Sequence, residues 1–152
     1  MNDGFNIAIS KYLFDYAEPG NTFTLDTHYR FSLVVPAHQE NADQVVKVWR
    51  NIPGATSFLV ILVINSDLAC DPEAVRLAEE IVQGREHFSP ADGLIFAASS
   101  RAPGNNGPDI LILDRYSRGN TIDPRQGVGL ARKLGTDIAL RLHHQGIIES
   151  DW

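Results

Sequence analysis

A run of seven consecutive apolar residues, FLVILVI at 58–64, constrains the fold of this chain more than any other feature. A strand with one face in water alternates apolar and polar side chains, whereas this run has no polar face to expose. Strands that are buried on both faces are typical of parallel sheets with helices on either side. The run therefore predicts a central strand in an α/β sheet.

Three further apolar runs predict strands, and helical patterns lie between them. These runs are FSLVVP at 31–36, GLIFAA at 93–98 and DILIL at 109–113. Asn41 is placed to cap a first helix that stops at Pro53, and Pro72 opens a second helix that ends near Gly84. Alternating strands and helices favour a Rossmann-like open, mostly parallel sheet with helices on both faces.

A last helix is predicted to start near Gln126, with a buried stripe at four-residue spacing formed by Leu130, Leu134, Ile138 and Leu142. Gly146 supplies its stop signal. Before the first predicted strand, we expect only a short helix over IAISKYLF and an edge strand over TFTL. The predicted organisation is thus an irregular extension at 1–30 followed by one α/β domain at 31–152.

The composition excludes several classes of function. The formal net charge of −6 and a pI near 5.2 argue against broad attraction to nucleic acid or to anionic membranes. Cys70 is the only cysteine, so neither an intrachain disulfide nor a multi-cysteine metal site can form. We expect a cytoplasmic protein, because the sequence contains neither a signal-peptide pattern nor an apolar run of membrane-spanning length.

The segment RQGVGLARKLG, at the start of the last predicted helix, combines glycines with basic residues. It does not match a dinucleotide-binding fingerprint, because Arg132 occupies the position of the third glycine, and no GK[ST] phosphate loop occurs in the chain. Two interpretations stay open. Gly127 and Gly129 can simply relax the entry to the helix, or the exposed amides there, assisted by arginine, can hold a phosphate or diphosphate.

Two motifs together resemble inverting family-two glycosyltransferases with the GT-A fold. FSLVVPAHQEN is similar to the opening strand and loop of that family, and GVGLARKLGTDIAL is similar to the helix that follows its fourth strand. The resemblance covers about residues 31–145 and implies the nucleotide-binding half of such an enzyme. In its complete form the enzyme would transfer a sugar from a nucleotide-diphosphate donor to an acceptor hydroxyl, with inversion.

The resemblance implies that the loop after the first strand meets the donor. Pro36, Ala37 and Glu40 would lie beside the nucleoside, although a plain strand-to-helix turn explains the same residues. His38, in the same loop, could contact a phosphate or serve only as a polar loop residue.

The other expected contacts follow the second strand and precede the last helix. Asn65 and Asp67 stand where the family has acidic residues near the uracil or ribose, which leaves the identity of the base open. Arg125 and Arg132 would contact the diphosphate or the acidic loop that holds it, with a surface ion pair as the alternative. The amides at Gly127 and Gly129 complete this set.

Enzymes of this family bind Mg²⁺ or Mn²⁺ through an Asp-x-Asp motif after the next strand, so the resemblance implies such an ion for the complete enzyme. We identify no metal site in this chain: Glu149-Ser150-Asp151 lacks the preceding apolar strand, and the adjacent His143 and His144 are expected in solvent. Neither the catalytic base nor the acceptor site can be assigned. The alternative function is a non-catalytic α/β binding or assembly module, with a homo-oligomer expected if a sheet edge is unpaired.

Overall fold

The computed structural model describes residues 3–18, 22–99 and 107–149. Within these ranges the chain forms four α-helices, five strands and a short 3₁₀-helix at Ala55–Ser57. The helices are α1 (Asp3–Asp15), α2 (Ala42–Val46), α3 (Pro72–Val82) and α4 (Gly127–His144). The strands are β1 (Phe31–Ala37), β2 (Phe58–Asn65), β3 (His87–Phe88), β4 (Leu94–Ala97) and β5 (Asp109–Arg115).

All four predicted strands are confirmed, as are the helices expected over IAISKYLF and before Gly84 and Gly146. Asn41 caps α2 through a reciprocal pair of hydrogen bonds with Gln44, but α2 ends at Val46 and continues as turns, which leaves Val48 exposed. The edge strand expected over TFTL is wrong, because residues 22–25 pair with no strand. The pattern that predicted this strand covers only four residues. A strand also requires a partner strand to pair with, which a local sequence pattern does not reveal.

The sheet has the order β1-β2-β5-β4-β3, and its core is parallel. β2 pairs in parallel with β1 on one side and with β5 on the other, as its uninterrupted apolar sequence predicts. β4 is antiparallel to both of its neighbours, which departs from a purely parallel sheet. Only residues 89–93 connect β3 to β4, and a parallel pair needs a crossover of about a dozen residues or more.

Two separate apolar cores cover the two faces of the sheet. The odd-numbered side chains of β2, Leu59, Ile61 and Val63, pack in the core that contains α4. The alternate side chains of β2 pack against α2 and α3 on the opposite face. Every residue of β2 is buried, so the prediction of a strand covered on both faces is confirmed.

The loops after the parallel strands leave the sheet in opposite directions. After β1 and β2 the chain passes to the face covered by α2 and α3, whereas after β5 it passes to the face covered by α4. The carboxyl ends of the neighbouring strands β2 and β5 therefore border a crevice, which is where open α/β sheets bind ligands. After α4 the chain returns to the outer side of β1, where Tyr29 forms a parallel bridge with Ile148.

Gly135 allows α4 to lie directly on the sheet. A Cβ atom placed on Gly135 would clash with the side chain of Val34 and would lie 3.1 Å from Cγ2 of Val63. Both valines are β-branched, so they have little freedom to move away. Gly129, two turns earlier, has no atom within 4 Å of such a Cβ and no left-handed backbone. The close approach of α4 thus depends on Gly135 and not on Gly129.

A buried carboxylate attaches α1 and the segment after it to α4. Asp137 accepts hydrogen bonds from the Tyr12 hydroxyl at 2.9 Å, from the Glu18 N–H at 3.0 Å and from Nζ of Lys133 at 2.8 Å. The hydrogen bond to this carboxylate raises the pKa of Tyr12 above its ordinary value. Asp137 therefore holds α1 and the adjoining segment 16–18 against α4.

We expect Gly135→Ala to destabilise the protein and Gly129→Ala to stabilise it slightly. Overpacking against Val34 and Val63 costs about 1–3 kcal/mol, which outweighs the gain of roughly 0.8–1 kcal/mol in helix propensity. At Gly129 only the propensity gain applies. Urea denaturation of both variants measures the difference, and a Gly135→Ala variant as stable as Gly129→Ala would contradict the close approach of α4.

Candidate ligand-binding site

A pocket of about 140 Å³ lies at the carboxyl edge of the parallel strands. We call it the carboxyl-edge pocket, and it is lined by His38, Asn65, Asp67, Ile122, Pro124, Gly127 and Val128. These residues come from the loop after β1, the end of β2 and the segment after it, and the segment that leads from β5 into α4. Four of the residues singled out from the sequence, His38, Asn65, Asp67 and Gly127, therefore meet in one place.

A hydrogen bond between the first two loops orients the imidazole of His38. Its Nδ1 lies 3.0 Å from the backbone oxygen of Asn65. A carbonyl oxygen can only accept, so Nδ1 carries the proton and donates it. Nε2 has no protein partner among the described residues and is available to a ligand. The residue that follows, Gln39, has a left-handed backbone with a φ of 58°, which turns the chain from β1 towards α2.

Asn65 brings an incompletely satisfied amide to the pocket. The residue is 6% exposed, and its side-chain oxygen is buried without a hydrogen-bond partner. Its side-chain nitrogen lies 3.5 Å from Nδ1 of His38, which already donates to the backbone of Asn65. A buried polar group without a partner costs about 1–3 kcal/mol, so a ligand that supplies the partner recovers that free energy.

The first turn of α4 faces the same pocket with open amides. The residue before it, Gln126, provides no side-chain cap. The N–H groups of Gln126 and Gly127 donate to the backbone oxygen of Asp123, at 2.9 and 3.1 Å. Within the described part of the chain, no hydrogen bond is donated by the N–H of Val128 or Gly129. Uncapped amides and the positive end of a helix dipole favour a negatively charged group.

Hydrogen bonds join the loops that surround the pocket. The Ser66 N–H donates to the backbone oxygen of Arg115 at 3.1 Å, and the Cys70 N–H donates to that of Tyr116 at 2.7 Å. The Ser66 hydroxyl donates to Asp71, which caps α3. Burial raises the pKa of Tyr116 to about 12. The segments after β2 and β5 therefore form one connected frame.

The residues expected beside a nucleoside divide between the pocket and its supports. Glu40 does not line the carboxyl-edge pocket: its Oε2 accepts a hydrogen bond of 2.8 Å from the backbone N–H of His38. Pro36 and Ala37 belong to β1 itself, with Ala37 buried in the core that contains α2 and α3. These three residues shape the backbone that carries His38.

Neither arginine of the predicted set lines the pocket. Arg125 pairs with Asp123, two residues earlier, with Nη2 at 2.7 Å and Nε at 3.1 Å from the two carboxylate oxygens. This bond lowers the pKa of Asp123 and raises that of Arg125. Arg132 is exposed on α4 and has neither an ion pair nor a side-chain hydrogen bond within the described residues. Gly129 is exposed one turn into the helix, outside the lining.

The pocket therefore separates two kinds of polar group. The amides of α4 suit an oxyanion, whereas Nε2 of His38 and the carboxylate of Asp67 accept from hydroxyl or N–H groups. Asn65 can serve either role through its amide. Such an arrangement has the chemistry to hold and orient a ligand that carries both kinds of group. In the part of the chain that the structure describes, no three His, Cys, Asp or Glu side chains are grouped so as to hold a metal ion.

Sequence reasoning missed three apolar or backbone contributors, Ile122, Pro124 and Val128. The signal for the first two was present in the segment TIDPRQG, where proline and Asp123 mark a turn that leads into a helix. The same segment also indicated the ion pair of Arg125, because the carboxylate of Asp123, two residues earlier, competes with a ligand for the guanidinium. His143 was also expected in solvent and is instead buried, with Nδ1 donating to the Ile148 oxygen at 2.9 Å.

Comparisons with protein families, with curated proteins and with solved structures gave no match to this chain. Among the described residues, the structure has no helix with both the length and the apolar character needed to cross a bilayer. Ser150 and Asp151 of the weak acidic motif lie outside the described residues.

We expect Arg125→Gln to raise the pKa of Asp123 towards its ordinary value. The guanidinium bond is the largest cause of the lowered value, and the backbone N–H of residue 125 supplies a smaller part that the variant retains. Carboxyl carbon chemical shifts in an NMR pH titration measure this change. Arg132→Gln is the matched control and should leave the titration of Asp123 unchanged. An Asp123 pKa that does not respond to Arg125→Gln would show that the pair is absent in solution.

Proposed function

We propose that the protein binds a nucleotide-diphosphate sugar at the carboxyl-edge pocket, as the donor-binding half of an inverting glycosyltransferase. The observation that carries this proposal is the meeting of Asn65, with its unpartnered buried oxygen, and the uncapped start of α4 in one pocket. That pocket lies at the crevice where the segments after β2 and β5 pass to opposite faces of the sheet. The two motifs that resemble the family border this crevice.

The charges in the pocket suggest how the donor lies. The negative diphosphate belongs beside Gly127 and Val128, because the helix terminus attracts it and Asp67 repels it. The ribose hydroxyls and the N–H groups of a base belong beside Asp67 and Asn65, which offer acceptors. Nε2 of His38, whose Nδ1 carries the proton, accepts from a further hydroxyl or N–H group of the donor.

The size of the pocket limits what it can enclose. Since a water molecule takes about 30 Å³ in the liquid, the 140 Å³ of the pocket is a space of only a few waters. It holds one group of the donor, and the remainder lies along the exposed edge formed by the loops. Arg125 and Arg132 stay candidates for that outer part of the donor, because both are exposed near the start of α4.

Sugar transfer with inversion needs two further groups that we do not assign. One is a carboxylate base that takes the proton of the acceptor hydroxyl, and the other is the acidic motif that holds Mg²⁺ or Mn²⁺. The described residues do not supply a donor set that fits such an ion, so no step is assigned to it. The function proposed for this chain is donor binding, and transfer to a hydroxyl acceptor is proposed for the complete form.

Isothermal titration calorimetry with UDP-, GDP- and dTDP-sugars, each with and without Mn²⁺, tests the proposal. We expect binding of one donor class, and we expect Asn65→Ala to weaken it about tenfold or more, because removal of a buried hydrogen-bond partner costs about 1.4 kcal/mol or more. Asn51→Ala, an exposed asparagine in the turn before β2, is the control and should bind as the unmodified protein does. Absence of heat with every donor for the folded protein, or equal binding by Asn65→Ala, would refute the proposal.

A second candidate function, a non-catalytic assembly module, is favoured by the outer edge of β1. β1 is the last strand on its side of the sheet, and beyond the bridge at Tyr29 its outer backbone pairs with no strand among the described residues. An unpaired strand edge is a template for pairing with another chain.

Light scattering over a range of protein concentrations measures this second function. Edge pairing predicts a dimer whose proportion rises with concentration and falls when Leu33→Pro removes an N–H from the outer side of β1, the side on which the N–H of Tyr29 donates to Ile147. Thr24→Pro, in the segment that pairs with no strand, is the control for the general effect of proline. A monomer at every concentration would exclude the assembly module.

A further inference from the structure

A second cavity, separate from the carboxyl-edge pocket, lies between α4 and the adjacent ends of β4 and β5. Its volume is about 210 Å³. We call it the arginine cavity, because Arg115 at the end of β5 and Arg141 in the last turns of α4 both line it.

Among the described residues, the two guanidinium groups in this cavity have no hydrogen-bond or ion-pair partner. Both residues are partly buried, and neither has a side-chain hydrogen bond or an ion pair within the described residues. Nε of Arg141 is fully buried without an acceptor. By contrast, the other partly buried arginine, Arg85, donates to two backbone oxygens, at 2.8 and 3.2 Å. Unpaired guanidiniums at a buried position are costly, and a ligand acceptor removes that cost.

The carboxylates around the cavity are already engaged elsewhere. Asp137 has three donors, described above, and Glu18 lies 3.6 Å from Nζ of Lys133. Asp114 accepts backbone N–H groups from the two loop residues that follow Arg115, at 3.0 and 2.8 Å. Asp92 is not free either. None of the four, in the described structure, forms an ion pair with Arg115 or Arg141.

The charge and the lining restrict the ligand. The four carboxylates around the cavity outnumber the cationic side chains, which are the two arginines and Lys133, the partner of Glu18 and Asp137. Any anion adds to this negative excess, but a single carboxylate adds less charge than a doubly charged phosphate, and its two oxygens match the planar fork of a guanidinium. Leu94, Leu113, Leu134 and Ile138 add apolar surface to the lining, and Asn120 adds a further polar side chain.

We propose that the arginine cavity binds a small monocarboxylate with an apolar body, through a salt bridge to Arg141 and Arg115. By volume alone, 210 Å³ is large enough for an aromatic or branched acid, since a cavity of about 150 Å³ holds benzene. The apolar side chains of the two strands and α4 contact the body of the acid, and its carboxylate lies against the guanidiniums. Because the arginine cavity is separate from the carboxyl-edge pocket, a test of this site does not depend on the proposed function.

Titration of the full chain with benzoate, followed by amide chemical shifts, tests the site. We expect the amides of Gly93 and Leu113 to move and those of Gly127 and Val128 to stay in place. Benzamide has the same phenyl ring without the charge, and inorganic phosphate has the charge without the ring. Each should bind at least about tenfold more weakly than benzoate. Equal binding of either compound would overturn the proposal, as would benzoate shifts that avoid Gly93.

Variants locate the charge that holds the carboxylate. Arg141→Gln should weaken benzoate binding about tenfold or more. Arg115→Gln should also weaken it, because both guanidinium groups contact the carboxylate. Arg118→Gln, which changes an exposed arginine in the loop after β5, should bind as the unmodified protein does. If Arg141→Gln does not fold, Arg141→Lys replaces it, since this variant retains the charge but loses the planar fork. Unchanged benzoate affinity in every folded variant at 115 and 141 would refute the site.

Discussion

The burial of β2 on both faces is the constraint on which the rest of this structure depends. Eight buried residues in one strand require a covering layer on each side and a paired strand at each edge. α2 and α3 supply one layer and α4 the other. Since the chain reaches the two layers from neighbouring strands, the segments after β2 and β5 diverge. The crevice at the carboxyl edge is thus a consequence of how an entirely apolar strand is buried.

The position of α4 then determines what the crevice can bind. Gly135 lets the helix approach the sheet closely, so its uncapped first turn is held beside the end of β2. Helix amides and a buried amide side chain provide the polar contacts there, and the arginines near the helix start do not. An acidic protein can attract an anion in this way because oriented backbone dipoles act locally, within the first turn.

Much of the fold followed from local patterns, because apolar runs, caps and glycine stops act over a few residues. The strands at 31–36, 58–64, 93–98 and 109–113 and the cap at Asn41 are examples. The reversed direction of β4 was missed, since strand direction depends on a partner that is distant in sequence. In the site, loop position brought His38, Asn65 and Gly127 together. The orientation of Arg125 and the burial of His143 were missed, because each depends on competition between specific partners.

The most direct test of this account is a map of backbone and Asn65 side-chain amide shifts as a nucleoside diphosphate is added to the full chain. If the carboxyl-edge pocket is the binding site, the Gly127 and Val128 amides and the Asn65 side-chain amide will move together with one saturation curve. Saturable shifts confined to other parts of the fold, with these three signals unmoved, would contradict it.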